Sequence, residues 1–409
     1  MSDAVPKDHI VLCHSCDAPV ILPPYRAGYQ CRCPRCHSNI RSAFNYSFFQ
    51  GGVISISALL LLCCSLTQPF FSIQAAGLSF TVSLQNILLS LDGVWKILIL
   101  IFALSVLVFP LLLLCILTLI GFTRFKTGRI TAEVYSISHF FCFVDVFALA
   151  VGISLIKISG LASVSFYSGF YIYLIFSFLL IWCWKSFPAK KIWDEVKHIE
   201  YINISLNKIG KEQGIKLCKH CGFVFASRDS SELCPRCGRK TGFRKNMWFQ
   251  RCLALLIAAT VMFFPSNYLP VMFTTYLGNS FGSNIMDGAL ELFLSGSWFV
   301  SAVIIIASLF IPGFKIFALS YLIIKVKRRN ISNPASLTTL FRIVEFIGKW
   351  SMLDVFVVIV MASSVKFYNL MDIAPGFAII AFCSVVLLTL AAAVYFDERL
   401  IWDSSVEKQ

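Results

Sequence analysis

Eight of the sixteen cysteines fall into two sets of four, Cys13-x-x-Cys16 with Cys33-x-x-Cys36, and Cys218-x-x-Cys221 with Cys234-x-x-Cys237. The paired knuckles are separated by sixteen and twelve residues. That spacing suits four thiolates around one tetrahedral ion on a small ribbon, with Zn2+ the expected occupant of two sites. A closed four-thiolate shell leaves no open position, so the expected role is structural; iron–sulfur or redox chemistry is the alternative use of the same thiols. Gly222 and Gly238 follow the second cysteine of each knuckle in the second set, where a tight turn needs φ > 0. Asp17 and His37 take those places in the first set. Cys31 competes with Cys33, but only Cys33 has Cys-x-x-Cys spacing to Cys36. A ribbon of about 40 residues has too little core to fold unaided, so metal supplies much of its stability.

A second set of residues carries chemistry because of its surroundings. Asp145 and Asp354 occupy equivalent positions in long apolar runs, and Lys315 lies in another, three residues after Pro312. Ionised groups cost several kcal/mol inside a membrane, so they pair with one another or face a cavity. Two acids facing one lysine, with Ser308 and Thr389 as neutral members, is one reading; a structural ion pair that fixes helix packing is the other. Pro312 frees a carbonyl and bends its helix, and Pro110 is its counterpart, but Leu113 stands where the second half has Lys315. Lys157 and Lys366 near the outer helix ends are expected to snorkel.

The elements that must hold these groups are repeated. Cys33-Pro34-Arg35-Cys36 returns as Cys234-Pro235-Arg236-Cys237, Gly93-Val94-Trp95 as Gly296-Ser297-Trp298, Val144-Asp145-Val146-Phe147 as Leu353-Asp354-Val355-Phe356, and Ile192-Trp193-Asp194 as Ile401-Trp402-Asp403. The offsets drift only from 201 to 209, which indicates a duplicated module. With 58% apolar and 14% charged residues and a mean hydropathy of +0.78, the chain exceeds what a soluble core needs. Eight apolar runs are expected to cross a membrane: Phe48–Leu66, Ile97–Phe122, Val134–Ile156, Val164–Trp184, Trp248–Phe264, Trp298–Val326, Ile343–Val365 and Phe377–Phe396. The expected fold is an all-α polytopic membrane protein, a four-helix transmembrane module present twice, each copy preceded by a zinc ribbon. The expected boundaries are ribbon 1 at 1–42, the first module at 43–186, linker and ribbon 2 at 187–246, the second module at 247–403 and a tail at 404–409.

The net charge of +14 does not point to nucleic acid, because it is sorted along the chain. Lys and Arg crowd the segments 124–129, 185–245 and 325–329, whereas 67–93 and 266–297 contain none. This is the positive-inside pattern, and it predicts that both termini, both ribbons and the linker are cytoplasmic. The start is polar and cysteine-bearing, so no cleaved signal peptide is expected and the first membrane helix is its own insertion signal. Alternation over Leu78-Ser79-Phe80-Thr81-Val82 predicts a short strand pair on the outer face, with Gly278, Asn279, Gly282 and Asn284 supplying turns. Trp193 and Trp402 are expected at the inner membrane interface. The remaining cysteines, Cys63, Cys64, Cys115, Cys142, Cys183, Cys252 and Cys383, read as small hydrophobes.

Enzyme motifs are thin. The chain has no Walker A loop and no His-Glu-x-x-His. Gly278-Asn279-Ser280-Phe281-Gly282 matches the nucleophile elbow by letter, but neither outer loop offers a histidine. Cys33-Pro34-Arg35-Cys36-His37 matches a haem-attachment pattern, yet its cysteines belong to the ribbon and the second copy has Gly238 in place of the histidine. His14, His37 and His220 are placed outside the ligand sets. No enzymatic activity is expected.

The two four-cysteine ribbons, the run Gly348-Lys349-Trp350-Ser351-Met352-Leu353-Asp354-Val355-Phe356, the Cys-Pro-Arg-Cys pair and the terminal Arg399-Leu400-Ile401-Trp402-Asp403 resemble the paraquat-inducible protein A family across almost the entire chain. The first half departs from the family pattern at His139-Phe140-Phe141-Cys142-Phe143-Val144-Asp145, where only the acid is kept. The resemblance implies a multi-pass protein of the Gram-negative inner membrane, a periplasmic MCE-domain partner, and phospholipid as cargo. Such a protein would load lipid into, or extract it from, the bilayer, with proton entry at Asp145, Asp354 and Lys315 as the drive. A small-solute or ion transporter and a membrane-bound redox- or metal-responsive protein are the alternative classes.

Overall fold

The computed structural model describes residues 10–23, 28–41, 46–75, 78–89, 96–123, 127–159, 163–196, 204–206, 208–226, 231–245, 247–276, 279–294, 296, 298–364, 366–367 and 371–406. The repeated Gly93-Val94-Trp95, together with Ser297 and Gly278, lies outside them, as do the side chains of Lys157, Asp354 and Lys366.

The protein is mostly helical, and the helices follow the apolar runs. We label α1 (Phe48–Thr67), α2 (Lys96–Phe122), α3 (Arg129–Phe141), α4 (Val144–Ser159), α5 (Ser168–Ser186), α6 (Trp248–Tyr268), α7 (Ser301–Lys327), α8 (Pro334–Trp350), α9 (Leu353–Ser364) and α10 (Ala378–Tyr395). Among the described residues, seven stretches are long and apolar enough to cross a membrane: α1, α2, Arg129–Leu155 across α3 and α4, α5, α6, α7 and α10. The eighth expected run, Ile343–Val365, does not form one helix. It is broken at Ser351–Met352 into α8 and α9, and neither piece meets that test. The first half breaks at the corresponding place, Cys142–Phe143.

The breaks are answered by irregularities in the neighbouring helices. Both α2 and α7 widen to π geometry immediately before their prolines, over Leu104–Val108 and Ile306–Phe310. Proline offers no N–H to the carbonyl four residues back and clashes with it, and a π turn relieves both problems. In the first half the freed geometry is used at once, because the Phe143 N–H at the α3–α4 break donates to Ser105 O at 3.3 Å.

Short sheets close the outer side. Pro69–Ala75 pairs with Leu78–Ser83 and with Ser163–Phe166, so the expected strand pair has a third member. In the second half Met272–Tyr276 pairs with Asn279–Ser283 and with Met371–Pro375, which also takes Lys366–Phe367. Asn279 and Gly282 are therefore strand residues, not turn formers. Gly282 lies opposite Phe273, and an added Cβ would stand 3.0 Å from that ring, so absence of a side chain is what the position needs. Asn284 caps the start of the helix Ile285–Leu294 instead of forming a turn, its Oδ1 accepting the Asp287 N–H at 2.9 Å.

At the centre, α4 and α9 pack on each other. Phe147 and Phe356, equivalent residues of the repeated motif, meet edge-to-face at 5.9 Å, and Phe102 of α2 lies against both. All three are fully buried, so the two halves share one aromatic core. The crossing of α1 with α2 is close. A Cβ on Gly121 would stand 2.8 Å from the Cα of Gly52, the close backbone approach that membrane helices gain from small residues.

Candidate functional site

The eight predicted cysteines form two buried clusters, Cys13, Cys16, Cys33 and Cys36, and Cys218, Cys221, Cys234 and Cys237. Each knuckle is a two-stranded hairpin: Ile10–Leu12 with Pro19–Ile21, Cys31–Arg32 with Asn39–Arg41, Ile215–Leu217 with Val224–Ala226, and Ser231–Leu233 with Lys240–Gly242. The turn after each second cysteine needs positive φ, and Asp17 (61°), His37 (57°), Gly222 (71°) and Gly238 (71°) all have it. Their N–H groups close the turns onto the carbonyls of Cys13, Cys33, Cys218 and Cys234 at 2.7–3.0 Å. The sulfurs stand 3.4 Å apart for Cys13–Cys36 and 3.6 Å apart for Cys16–Cys33, Cys218–Cys237 and Cys221–Cys234. A metal–sulfur bond of about 2.3 Å gives a tetrahedron with edges of about 3.8 Å, so each donor set fits a metal ion. Cys31 is in neither cluster.

Two hydroxyls not singled out in the sequence support these thiolates. Ser38 Oγ lies 2.9 Å from Cys13 Sγ and 3.1 Å from Cys36 Sγ. Thr241 Oγ1 donates to Cys218 Sγ at 3.7 Å. Their distances from the knuckles in sequence differ, so spacing alone gave no signal for them.

Each ribbon docks on the opposite half of the chain. In the first ribbon, Arg35 of Cys-Pro-Arg-Cys lies 4.9 Å over the ring of Trp402, and Arg342 Nη2 donates to Cys36 O at 3.2 Å. In the second, Arg236 pairs with Asp194 at 3.1 Å and its carbonyl accepts from Arg129 Nε at 3.1 Å, while Arg239 bonds Glu133. The repeated Cys-Pro-Arg-Cys and Ile-Trp-Asp motifs thus meet crosswise. This corrects the placement of the tryptophans at the membrane interface. Trp193 is fully buried and Trp402 6% exposed, with indole N–H groups donating to Ser136 Oγ at 2.8 Å and to Thr338 Oγ1 at 3.0 Å. The ribbons take the rings because those rings are the apolar floor on which they stand.

Between the ribbons lies an ion cluster. Arg244 holds Asp403 by two 2.6 Å bonds and Asp17 at 3.2 Å, Lys219 holds Asp397 at 2.7 Å, and Arg399 approaches Asp397 at 3.4 Å and Asp17 at 3.7 Å. Burial alone would push the Asp397 carboxyl up, but Lys219, Arg399 and Arg244 outweigh it and hold the group well below the usual aspartate range. A depressed carboxyl stabilises the fold fully above the ordinary value, about 3.9, and progressively less as pH falls through the lower folded value. Asp397→Asn is expected to cost about 2 kcal/mol at pH 7, allowing for the partly exposed Lys219, with the difference from wild type shrinking below about pH 4. Unfolding midpoints of both proteins across that range check this; a gap that does not change with pH would remove the electrostatic account.

The second site is a cavity of about 800 Å³ between the halves, walled by α3, α4 and α5 on one side and α7, α8 and α10 on the other. Its charged lining is Asp145, Lys185, Lys315, Arg342, Glu345 and Lys349, set in otherwise mainly apolar walls. Lys315 is 1% exposed, and its Nζ has no hydrogen-bond or ionic partner among the described residues. It lies twelve residues from Lys327 at the end of α7, about 18 Å along the axis, which is mid-membrane depth. Phe178 and Phe346 lie among the lining residues at 69% and 70% exposure, so the cavity opens towards the lipid-facing surface.

Of the predicted polar residues, Asp145, Lys315 and Thr389 line this cavity and Ser308 does not. Ser308 is buried in the π turn of α7, and Thr389 returns its hydroxyl to Val385 O at 2.9 Å. No ion pair joins Asp145 to Lys315 among the described residues. Asp145 lies in the first turn of α4 and Asp354 in the first turn of α9, both directly after the breaks, where a helix start favours negative charge. Arg342 and Lys349 escaped the sequence reading as cavity residues. Their signal was available, since Arg342, Glu345 and Lys349 recur at helical spacing on one face of α8.

The family model described as Paraquat-inducible protein A matches residues 52–197 and 249–405. The chain belongs to that family. It is 29% identical over 408 residues to the Intermembrane transport protein PqiA of Escherichia coli K12, covering 98% of this chain and 97% of the relative. It is 27% identical over 415 residues to a probable intermembrane transport protein of Haemophilus influenzae, covering 97% and 96%. It is 22% identical over 413 residues to the Lipophilic envelope-spanning tunnel protein A of Escherichia coli K12, covering 99% and 93%. No solved structure matches the chain significantly.

Proposed function

We propose that the chain is the inner-membrane subunit of an intermembrane phospholipid transport system, loading lipid into or extracting it from the bilayer for a periplasmic MCE-domain partner. The observation that carries this reading is the cavity between the halves, with a buried lysine inside and exposed aromatics at its mouth. An amphipathic molecule needs both surfaces at once. The names of its relatives, intermembrane transport and envelope-spanning tunnel proteins, support the direction. In this reading the positive-inside pattern sets the ribbons and both termini in the cytoplasm of a Gram-negative cell, and α8 with α9 makes a broken eighth crossing that completes a duplicated four-helix module. The test is purification in mild detergent with mass spectrometry of bound lipids and proteins. Recovery of phospholipid and an MCE-domain protein is expected. Uptake of a soluble solute by proteoliposomes holding this chain alone would replace the proposal with a small-solute transporter.

The ribbons are assigned structural zinc, which would hold the knuckles through Cys13, Cys16, Cys33 and Cys36 and through Cys218, Cys221, Cys234 and Cys237. Metal analysis is expected to find about two zinc per chain, and replacement of Cys234 and Cys237 by serine about one, with lower abundance. Undiminished zinc in that variant would refute the assignment.

A further inference from the structure

We infer that the cavity between the halves selects an anionic lipid headgroup, a phosphodiester with no compensating amine, over a zwitterionic one; this rests on the lipid reading above. The charge count comes first. Among the described residues four cationic side chains, Lys185, Lys315, Arg342 and Lys349, share the lining with two acids, Asp145 and Glu345, an excess of two positive charges. A phosphate is common to both headgroup classes, so the discriminating group is the ethanolamine ammonium. It would have to lie among four cations with only two acids to receive it.

Engagement within the site sharpens the argument. Lys349 Nζ is held 4.1 Å over the ring of Trp184, which is itself stacked on His139 at 4.6 Å. Arg342 gives a donor to the Cys36 carbonyl at 3.2 Å. Lys315 alone combines near-complete burial with an Nζ that makes no bond among the described residues. Glu345 is solvent- or lipid-exposed on α8, which leaves Asp145 as the one acid at partial burial in the lining among the described residues. A buried ammonium that no described residue pairs is costly, and a headgroup phosphate reaching it from the mouth relieves that cost. The apolar walls then accept the first part of the acyl chains, and Phe178 and Phe346 face the bilayer from which the lipid comes.

The experiment delipidates the full chain in detergent and re-exposes it to equal amounts of phosphatidylglycerol and phosphatidylethanolamine. After gel filtration the retained lipid is counted by mass spectrometry. Wild type is expected to retain phosphatidylglycerol on the order of tenfold over phosphatidylethanolamine, the scale of one charge contact near 4 Å in a medium between water and protein interior. Lys315→Gln removes one of the two excess charges and is expected to lower that ratio to about threefold, while Lys325→Gln, at the end of α7 and outside the cavity lining, leaves it unchanged. Should Lys315→Gln not accumulate, Asp145→Asn is read instead and must raise the preference for phosphatidylglycerol. Lipid retained at the mixing ratio by wild type overturns the headgroup inference and leaves the lipid reading standing. No retained lipid of either kind overturns the lipid reading itself. A wild-type preference that is undiminished in Lys315→Gln, or falls in Asp145→Asn, moves the selectivity away from this cavity.

Discussion

Replacing Trp193 with alanine is expected to destabilise the protein by about 3–5 kcal/mol, the range for removing a fully buried large aromatic side chain. Trp193 has no exposed surface, its indole N–H donates to Ser136 Oγ at 2.8 Å, and its ring faces His220 at 5.3 Å. It is simultaneously the end of the first half and the floor beneath the second ribbon. Removing it leaves a cavity beneath the ribbon and takes away the bond that Ser136 Oγ accepts, although that hydroxyl still donates to Ala132 O at 2.7 Å. The second metal cluster stands on that floor, so zinc content should fall towards one equivalent with the loss of stability. Trp182, half-exposed on the outward side of α5, is the control, and its replacement by alanine should change the unfolding midpoint little. Combining Trp193→Ala with Cys234→Ser should cost less than the sum of the two, because both release the same ribbon. A Trp193→Ala protein with wild-type melting and two zinc ions would refute the crosswise docking as a source of stability.

That docking shows where sequence reasoning reached and where it stopped. Thiolate spacing specified the clusters completely, since Cys-x-x-Cys on a tight turn is a local geometry, and Asp17 and His37 could be matched to Gly222 and Gly238 without any tertiary information. The partner of each ribbon was not local. A tryptophan next to an apolar run reads equally well as a membrane-interface anchor or as a buried platform, and only the position of a ribbon whose first cysteine stands 25 residues after Trp193, or whose last stands 366 residues before Trp402, decides between them. The π turns follow from Pro110 and Pro312. The breaks at Cys142–Phe143 and Ser351–Met352 do not, because neither pair contains a proline or glycine to mark it. Arg342, Glu345 and Lys349 are spaced as one helix face, and all three line the shared cavity.

Loss of transport without loss of the protein is the outcome expected for Asp145→Asn and Asp354→Asn. Moving lipid out of a bilayer it prefers requires a gradient or an energy source, and the chain offers no nucleotide-binding loop. Proton entry is the drive we propose. The acids open α4 and α9 immediately after the two breaks, and α4 packs on α9 at the centre of the molecule. Both acids thus stand at the two points where the helices can move, so a small movement at a break changes their surroundings. Lys315 sits in the same cavity as Asp145 without being bonded to it, so its ammonium remains free to meet a headgroup. Proton coupling predicts that both Asn variants accumulate normally, melt like wild type and still bind the periplasmic partner, yet fail to maintain the outer membrane, with Lys315→Ala behaving alike. Purely structural roles predict instead that stability and function fall together. Measurement of abundance, melting and detergent sensitivity in the same strains separates the two. Well-expressed Asp145→Asn, Asp354→Asn and Lys315→Ala proteins that all support an intact envelope would eliminate the drive and the polar residues assigned to it.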